Sequence, residues 1–280
     1  MVRLYELVGI SKQGHYKRIT YRDKMTKMTK ELIQQAGLIR KEHKRMGCRK
    51  MYREIKPEGI GRDRFEYILL ANGFRVKGKR SRIRTTYSGK QWYPNHIQGM
   101  KVRDINQLWV SDITYIPVGH MENYFLTLIQ DVYSRKILGW SLSSNLQSIS
   151  TVVPAYNMAI ETRNGRVKEG LVFHSDKGSQ YYWKGLAALH ERNGITASMG
   201  GKAWENAHAE TINGILKNEY IDFIGSNITF DQAKKMIKSI IKKYNEKRPH
   251  GSLSNMKPVE FETFVKTLKN KDKPVLKINY

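Results

Sequence analysis

The sequence predicts an α/β protein, a mixed five-stranded sheet with flanking helices behind an N-terminal helical region. Three observations predict it. Strand-like runs follow one another at Leu108–Val118, Tyr124–Val132 and Lys136–Ser143; helical and strand-like stretches then alternate; and the first 75 residues carry apolar side chains in short stripes at helical spacing.

In chain order, the N-terminal region reads as a series of small helices. Leu4, Leu7 and Val8 precede Gly9, and Ser11 is placed to cap a short helix through Arg18. From Met28 to Lys44, Leu32, Ile33, Leu38 and Ile39 form an uneven apolar face that stops before Gly47. Met51, Tyr52 and Ile55 make a compact stripe ended by Pro57, and Phe65, Ile68, Leu69 and Leu70 make another ended by Asn72 and Gly73. Small helices around a glycine turn suit duplex DNA, so 1–75 is expected to be a helix-turn-helix-like DNA-binding region. Residues 76–100 follow as a basic linker. Lys77, Lys79, Arg80, Arg82, Arg84 and Lys90 stand among Gly, Ser and Thr, without the apolar content to pack, and are expected to meet phosphate.

The middle, 101–225, changes character. Its three strand-like runs are rich in Val, Ile, Tyr, Trp and Thr and are separated by Gly119 and by a turn at Ser134 and Arg135, which suggests an antiparallel meander. Ser148–Thr162 then reads as a helix and Leu171–His174 as a short buried strand. Tyr181–Arg192 is a helix stopped by Asn193 and Gly194, and a further helix runs from Trp204 to about Glu219. A meander followed by alternating units is the general plan of a ribonuclease H-like core. Residues 226–280 are expected to form a basic C-terminal helix and tail.

Charge supports this division. Fifty Lys and Arg against 25 Asp and Glu leave a net +25, an excess that favours a polyanionic partner. Residues 1–100 hold 25 basic and 8 acidic side chains, 101–225 hold 12 of each, and 226–280 hold 13 and 5, so a neutral middle lies between two basic wings. The single cysteine, Cys48, excludes an internal disulfide framework and a multi-cysteine zinc cluster. There is no apolar run of the roughly 18 residues needed to span a bilayer, and no apolar signal core, so a cytoplasmic, nucleoid-associated protein with no membrane partner is expected.

In so basic a chain, an Asp in the middle of an apolar strand needs a reason. Asp112 lies within Leu108-Trp109-Val110-Ser111-Asp112-Ile113-Thr114-Tyr115-Ile116, where an unpaired carboxylate is costly unless a cation or donor meets it. Asp176 closes the strand Val172-Phe173-His174-Ser175, just before Gly178. Glu210 lies on a helix whose one face recurs as Asn206, Glu210, Asn213 and Lys217, and whose opposite face is Ala209, Ile212, Leu216 and Tyr220. Two strand-borne Asp and one helical Glu suit phosphodiester cleavage and transfer by two divalent metal ions, one activating water or a 3′ hydroxyl and the other stabilising the leaving oxygen.

The segments Trp109–Ile116, Phe173–Tyr181 and Glu205–Glu210 resemble the three signature blocks of bacterial insertion-sequence transposases with a retroviral-integrase-type, acidic-triad catalytic core. Gly47-Cys48-Arg49-Lys50 and Tyr244–Leu253 also resemble that family, so the likeness covers nearly the whole chain and is closest to the second, catalytic frame of a split gene. The resemblance implies a transposase that cleaves and joins DNA strands. It implies Asp112, Asp176 and Glu210 as catalytic metal ligands, Mg²⁺ as cofactor with Mn²⁺ able to substitute, and Lys217, Arg248 and His250 near DNA. It further implies double-stranded element ends and target as partners, a homo-oligomer on DNA, and an upstream-frame helix-turn-helix protein. The interval from Asp176 to Glu210 is shorter than the family's usual spacing, the shortening falling in Met199–Trp204, which leaves Glu205 as the alternative third acid. Asp131, in another family-like stretch, reads as a turn former, and His174 and His208 as satisfied hydrogen-bonding residues.

Other chemistries lack their signatures. The eight histidines form no pair at zinc-ligand spacing, Gly201-Lys202-Ala203 fails as a phosphate loop, and His15-x-x-Arg18 lacks the ordered partners of a tyrosine recombinase. The competing readings are a catalytically inactive DNA-binding protein of the same fold and a structure-specific nuclease that cuts without joining.

Overall fold

The computed structural model describes residues 9–76, 92–118, 122–165, 167, 169–223 and 228–279. Lys79, Arg80, Arg82 and Arg84, and also Leu4, Leu7, Val8 and Gly119, lie outside the described residues. The chain divides into two compact units, 1–80 and 81–280.

Among its described residues the first unit has three helices: α1 (Lys12–Glu42), α2 (Cys48–Ile55) and α3 (Arg62–Ala71). Ser11 caps α1 as expected, its hydroxyl accepting from the Gly14 amide at 3.0 Å. The expected break after Arg18 does not occur. No Pro or Gly stands between Arg18 and Met28 to stop it, so one helix of 31 residues forms where two were expected. Leu32 and Ala36 of α1 bury against Met51 of α2 and Phe65, Ile68 and Leu69 of α3. Burying each large side chain stabilises by about 2 kcal/mol, a hydrophobic drive that fixes this small unit.

The second unit is a mixed five-stranded sheet of the ribonuclease H-like plan. Its strands are β2 (Leu108–Val118), β3 (Glu122–Asp131), β4 (Ile137–Ser143), β5 (Val172–Ser175) and β6 (Thr196–Met199), in the order β4-β3-β2-β5-β6. The meander β2-β3-β4 is antiparallel, while β5 pairs parallel with β2 and β6 parallel with β5. A short ribbon, β1 (Lys101–Val102) with β7 (Leu276–Lys277), lies apart from it. The helices of this unit are α4 (Val152–Thr162), α5 (Lys184–Arg192), α6 (Ala207–Glu219), α7 (Phe230–Lys247) and α8 (Pro258–Thr267).

The two-residue period of a strand assigns the faces. Trp109, Ile129 and Phe173 point to one side, where Val152, Ala155, Tyr156 and Ala159 of α4 and Leu186 of α5 cover them. Gly139 lets α4 lie directly on β4, since a Cβ there would stand 2.8 Å from the Ala159 amide nitrogen and closer still to the Ala155 carbonyl oxygen. Leu126, Leu128 and Leu142 point the other way, against Ile212 and Leu216 of α6 and Ile237, Ile240, Ile241 and Tyr244 of α7.

The basic C-terminal stretch, expected as a helix and tail, contains two helices that pack on this unit. Helix α7 closes one face of the sheet, and α8 adds Phe261 and Val265 to a third cluster with Leu108, Val110 and Val172. A buried ionic cluster fastens α8. Arg163, at the end of α4, bonds Glu262 at 2.6 and 2.9 Å and Asp131 at 3.2 Å, and Lys136 reaches Glu262 at 3.1 Å. Asp131 also accepts from the Tyr133 and Ser134 amides, the turn-forming role its sequence context suggested.

Candidate functional site

Asp112 projects from β2 toward α6, on the opposite side from Ser111, whose hydroxyl meets the Tyr181 hydroxyl at 3.0 Å. The Asp112 carboxylate accepts from its neighbour, the Ile113 amide, at 2.9 Å and from Asn213 Nδ2 at 2.7 Å. Asp176 follows directly on β5, and its carboxylate accepts from the Gly178 amide at 3.0 Å. A Cβ on Gly178 would stand 3.0 Å from Asp176 Oδ1 and 2.9 Å from Gln180 Oε1, so the absence of a side chain there lets the loop lie close to the carboxylate. Glu210 sits exposed in the first turn of α6. Two parallel neighbouring strands and the start of one helix thus supply the three acids.

Electrostatics join them. Burial first, then the Asp176 charge and a smaller push from Glu210, raise Asp112 to about 7 against the opposing Asn213 and Ile113 hydrogen bonds. Asp176 is raised by burial against the pull of the Gly178 amide, and Glu210 is raised by burial and by Asp176. The three carboxyl groups share one field without forming a closed cage: among the described residues no three His, Cys, Asp or Glu side chains are close enough to hold a metal ion as they stand.

The donor set suits a hard divalent cation. Carboxylate oxygens are the ligands such ions prefer, and Asp112, raised toward neutrality, is a carboxylate whose charge a cation would restore. Beside it, Asn213 Oδ1 is buried without a hydrogen-bond partner, a further oxygen left uncommitted.

The neighbouring groups are engaged elsewhere. Glu205, the alternative third acid, accepts from the Gly201 and Lys202 amides and so closes the loop before α6. His174 bridges Ser198 Oγ at 2.8 Å and the Glu205 carbonyl at 3.0 Å, and burial depresses it to about 4, so it is neutral. His208 stands 2.6 Å from an Arg135 nitrogen. Lys217 lies half-buried two turns beyond Glu210 on α6.

Arg248 and His250, expected near DNA, are interior residues at 3% and 5% exposure. Arg248 forms a two-pronged bond to Glu219 at 2.6 and 2.8 Å, tying the end of α7 to the end of α6, and His250 packs edge-on to Tyr244. Their position is structural, and neither guanidinium nor imidazole is presented to a phosphate. Conversely, sequence reading placed Asn213 on the Glu210 face without a role. Its three-residue offset from Glu210 carried the signal, because that offset returns it to the same face of the helix.

The family-model matches fall within the second unit. An integrase core domain model matches residues 103–203, and a second integrase core domain model matches 193–258. The chain is 30% identical, over 91% of its length and 96% of the relative's, to the insertion element IS600 uncharacterized 31 kDa protein of Shigella sonnei. It is 33% identical to the transposase for insertion sequence element IS904 of Lactococcus lactis subsp. lactis (strain IL1403), over 61% of this chain and 67% of that one. Among solved structures it is similar to the HTLV-2 integrase catalytic core domain in complex with magnesium, at 18% identity and a TM-score of 0.44, covering 57% of this chain and 97% of that one. No helix among the described residues is long and apolar enough to cross a membrane.

Proposed function

The chain belongs to the integrase-core family of insertion-sequence transposases, and from that membership we propose that it cleaves DNA at the ends of a mobile element and joins them to a target, using two divalent cations. The observation that carries the reading is the shared field of Asp112, Asp176 and Glu210, each raised by burial and linked to another of the set by charge repulsion.

Asp112 and Asp176 are the ligands held in advance, and Glu210, exposed on the first turn of α6, completes the set. Bound there, Mg²⁺ or Mn²⁺ supplies activation of a water or 3′ hydroxyl and stabilisation of the leaving 3′ oxygen. The protein's own part is orientation. Asn213 holds one oxygen of Asp112, the Gly178 amide holds one oxygen of Asp176, and the Ser111–Tyr181 contact fixes β2 against the turn that follows Asp176. Double-stranded DNA is the proposed substrate, consistent with a net charge of +25. Because two element ends are cut together, the working form is a homo-oligomer on DNA, with Lys217 close to the strand being cut.

The test is incubation of the protein with its own element ends and Mg²⁺, followed by mapping of nicks and joints. Cation-dependent nicks at the element boundary and joints to target DNA are expected. Nicks without joints select a nuclease, and binding without either product selects an inactive DNA-binding protein.

A further inference from the structure

Where Glu210 stands depends on how the chain enters α6, because its carboxylate lies in that helix's first turn and, among the described residues, no closed cage of acids fixes it. The entry is a loop beginning at Gly200, followed by a short 3-10 turn, Ala203–Asn206. The Gly200 amide donates to the Ser175 carbonyl at 2.9 Å, and Asn206 Nδ2 donates to the Ser111 carbonyl at 3.0 Å. Between them the Glu205 carboxylate folds back to accept from the Gly201 and Lys202 amides. The loop is thereby stitched to β5, which leads into Asp176, and to β2, which carries Asp112.

His174, fully buried on β5, adds a further stitch. A carbonyl oxygen only accepts, so the imidazole Nε2 donates to that of Glu205 at 3.0 Å. In the neutral ring Nδ1 is then the acceptor. The Ser198 hydroxyl donates to it across 2.8 Å while itself accepting from the His96 amide at 2.9 Å. Each donor along His96, Ser198, His174 and Glu205 meets one acceptor, which locks a single tautomer and ring orientation. Gly200 leaves the ring its room, since a Cβ there would stand 3.3 Å from His174 Nε2 and 3.2 Å from Glu205 Cβ. A histidine that merely filled the core needs partners for its two nitrogens and nothing more. Here the partner of Nε2 is the main chain of the turn that starts α6.

We propose that His174 is a positioning residue for the third acid: its Nε2–H holds the Glu205 carbonyl, and with it the start of α6, where Glu210 can join Asp112 and Asp176 around a cation. The inference rests on the reading of these three acids as metal ligands and adds the tie that sets one of them relative to the others. Strand β5 then serves two acids, Asp176 directly and Glu210 through His174. A site of this kind is held to within about 0.5 Å of its productive geometry, and a helix passes any displacement of its first turn on to the side chains it carries.

The experiment compares the full-length wild type with His174→Asn and His174→Gln. Asparagine keeps an acceptor near the place of Nδ1 but is too short to reach the Glu205 carbonyl, whereas glutamine returns a donor near the place of Nε2. Mn²⁺ affinity is measured by electron paramagnetic resonance with element-end duplex present, alongside kcat and KM for Mg²⁺-dependent nicking, and melting. In His174→Asn, Mn²⁺ affinity and kcat are each expected to fall by roughly 10- to 100-fold, with KM for duplex little changed and most of both losses recovered in His174→Gln. A lowered melting temperature with wild-type Mn²⁺ affinity and kcat in the folded protein marks a core-filling histidine and overturns the proposal. Equal deficits in the two variants also overturn it. Should His174→Asn fail to fold, Ser198→Ala carries the test by removing the hydroxyl that orients the ring: Mn²⁺ affinity lower by roughly 10-fold supports the tie, and wild-type affinity overturns it. A wild type that neither binds Mn²⁺ nor nicks DNA removes the enzymatic reading and this inference together, whereas a wild type that does both beside unaltered variants removes this inference alone.

Discussion

Asn213 on α6 donates to Oδ2 of Asp112 on β2 at 2.7 Å, and no other side chain among the described residues donates to that carboxylate. The bond sets the orientation of the Asp112 carboxylate from a helix that also carries Glu210, so one element positions two of the three acids. Asn213→Ala is expected to lower Mg²⁺-dependent cleavage by roughly 10- to 100-fold, the usual cost of removing a group that orients a metal ligand. A raised Mg²⁺ requirement in a cation titration would accompany the loss. Unchanged cleavage and unchanged Mg²⁺ dependence would remove Asn213 from the machinery.

Asp112→Asn and Asp176→Asn are expected to reduce cleavage by about 10³-fold or more, the effect of losing roughly 4 kcal/mol of transition-state stabilisation. Duplex affinity, measured at fixed salt, should stay close to wild type. Turnover retained in both variants would dismiss the assignment.

Two glycines separate activity from stability. Gly178→Ala puts a methyl 3.0 Å from Asp176 Oδ1 and 2.9 Å from Gln180 Oε1, both ends of side chains that can turn aside, so cleavage should fall by about 10-fold or less as the carboxylate shifts, with melting little changed. Gly139→Ala drives a methyl into the backbone of α4. That variant should lose about 3 kcal/mol of stability and roughly 10 °C in melting temperature, measured by calorimetry.

His190, on α5, packs against the rings of Tyr156 and Phe173, and burial depresses it to about 4. The folded protein therefore holds it neutral, while the unfolded chain takes up a proton near 6.5. The contribution is fully present above that value, is lost progressively as pH falls toward 4, and levels off below, amounting to about 3 kcal/mol. Urea unfolding at pH 7 and pH 5 should show a steeper drop for wild type than for His190→Leu. Equal drops would show that another group governs that pH window.

Much of this architecture was legible in the residues. The strands β2, β3 and β4 were readable because Val, Ile, Tyr and Trp crowd them, and Asp112 stood out because a lone acid interrupts such a run. Helices α2 and α3 were readable from their Gly and Pro stops. Helix α7 lies in the stretch expected as a basic C-terminal helix, and its packing on the sheet went unread because net charge was weighed over period: Ala233, Ile237, Ile240, Ile241 and Tyr244 repeat at helical spacing beneath the lysines. Arg248 was misassigned for a related reason, since a positive charge in a basic segment gives no sign of the distant Glu219 that buries it. Strand β6 is four residues long, too short for its alternation to register, and only pairing with β5 defines it.

That α7 and α8 complete the sheet has a consequence for synthesis. A ribosome that has just finished α6 has already made all three acids, yet the nascent chain still exposes Leu126, Leu128 and Leu142 on the face that α7 covers and lacks the Glu262 that pairs with Arg163. That face of the sheet is covered only once α7 has emerged, so a product ending after α6 would carry Asp112, Asp176 and Glu210 without the packing that holds β2, β3 and α6 together. The architecture thereby makes the proposed activity depend on translation of α7 and α8.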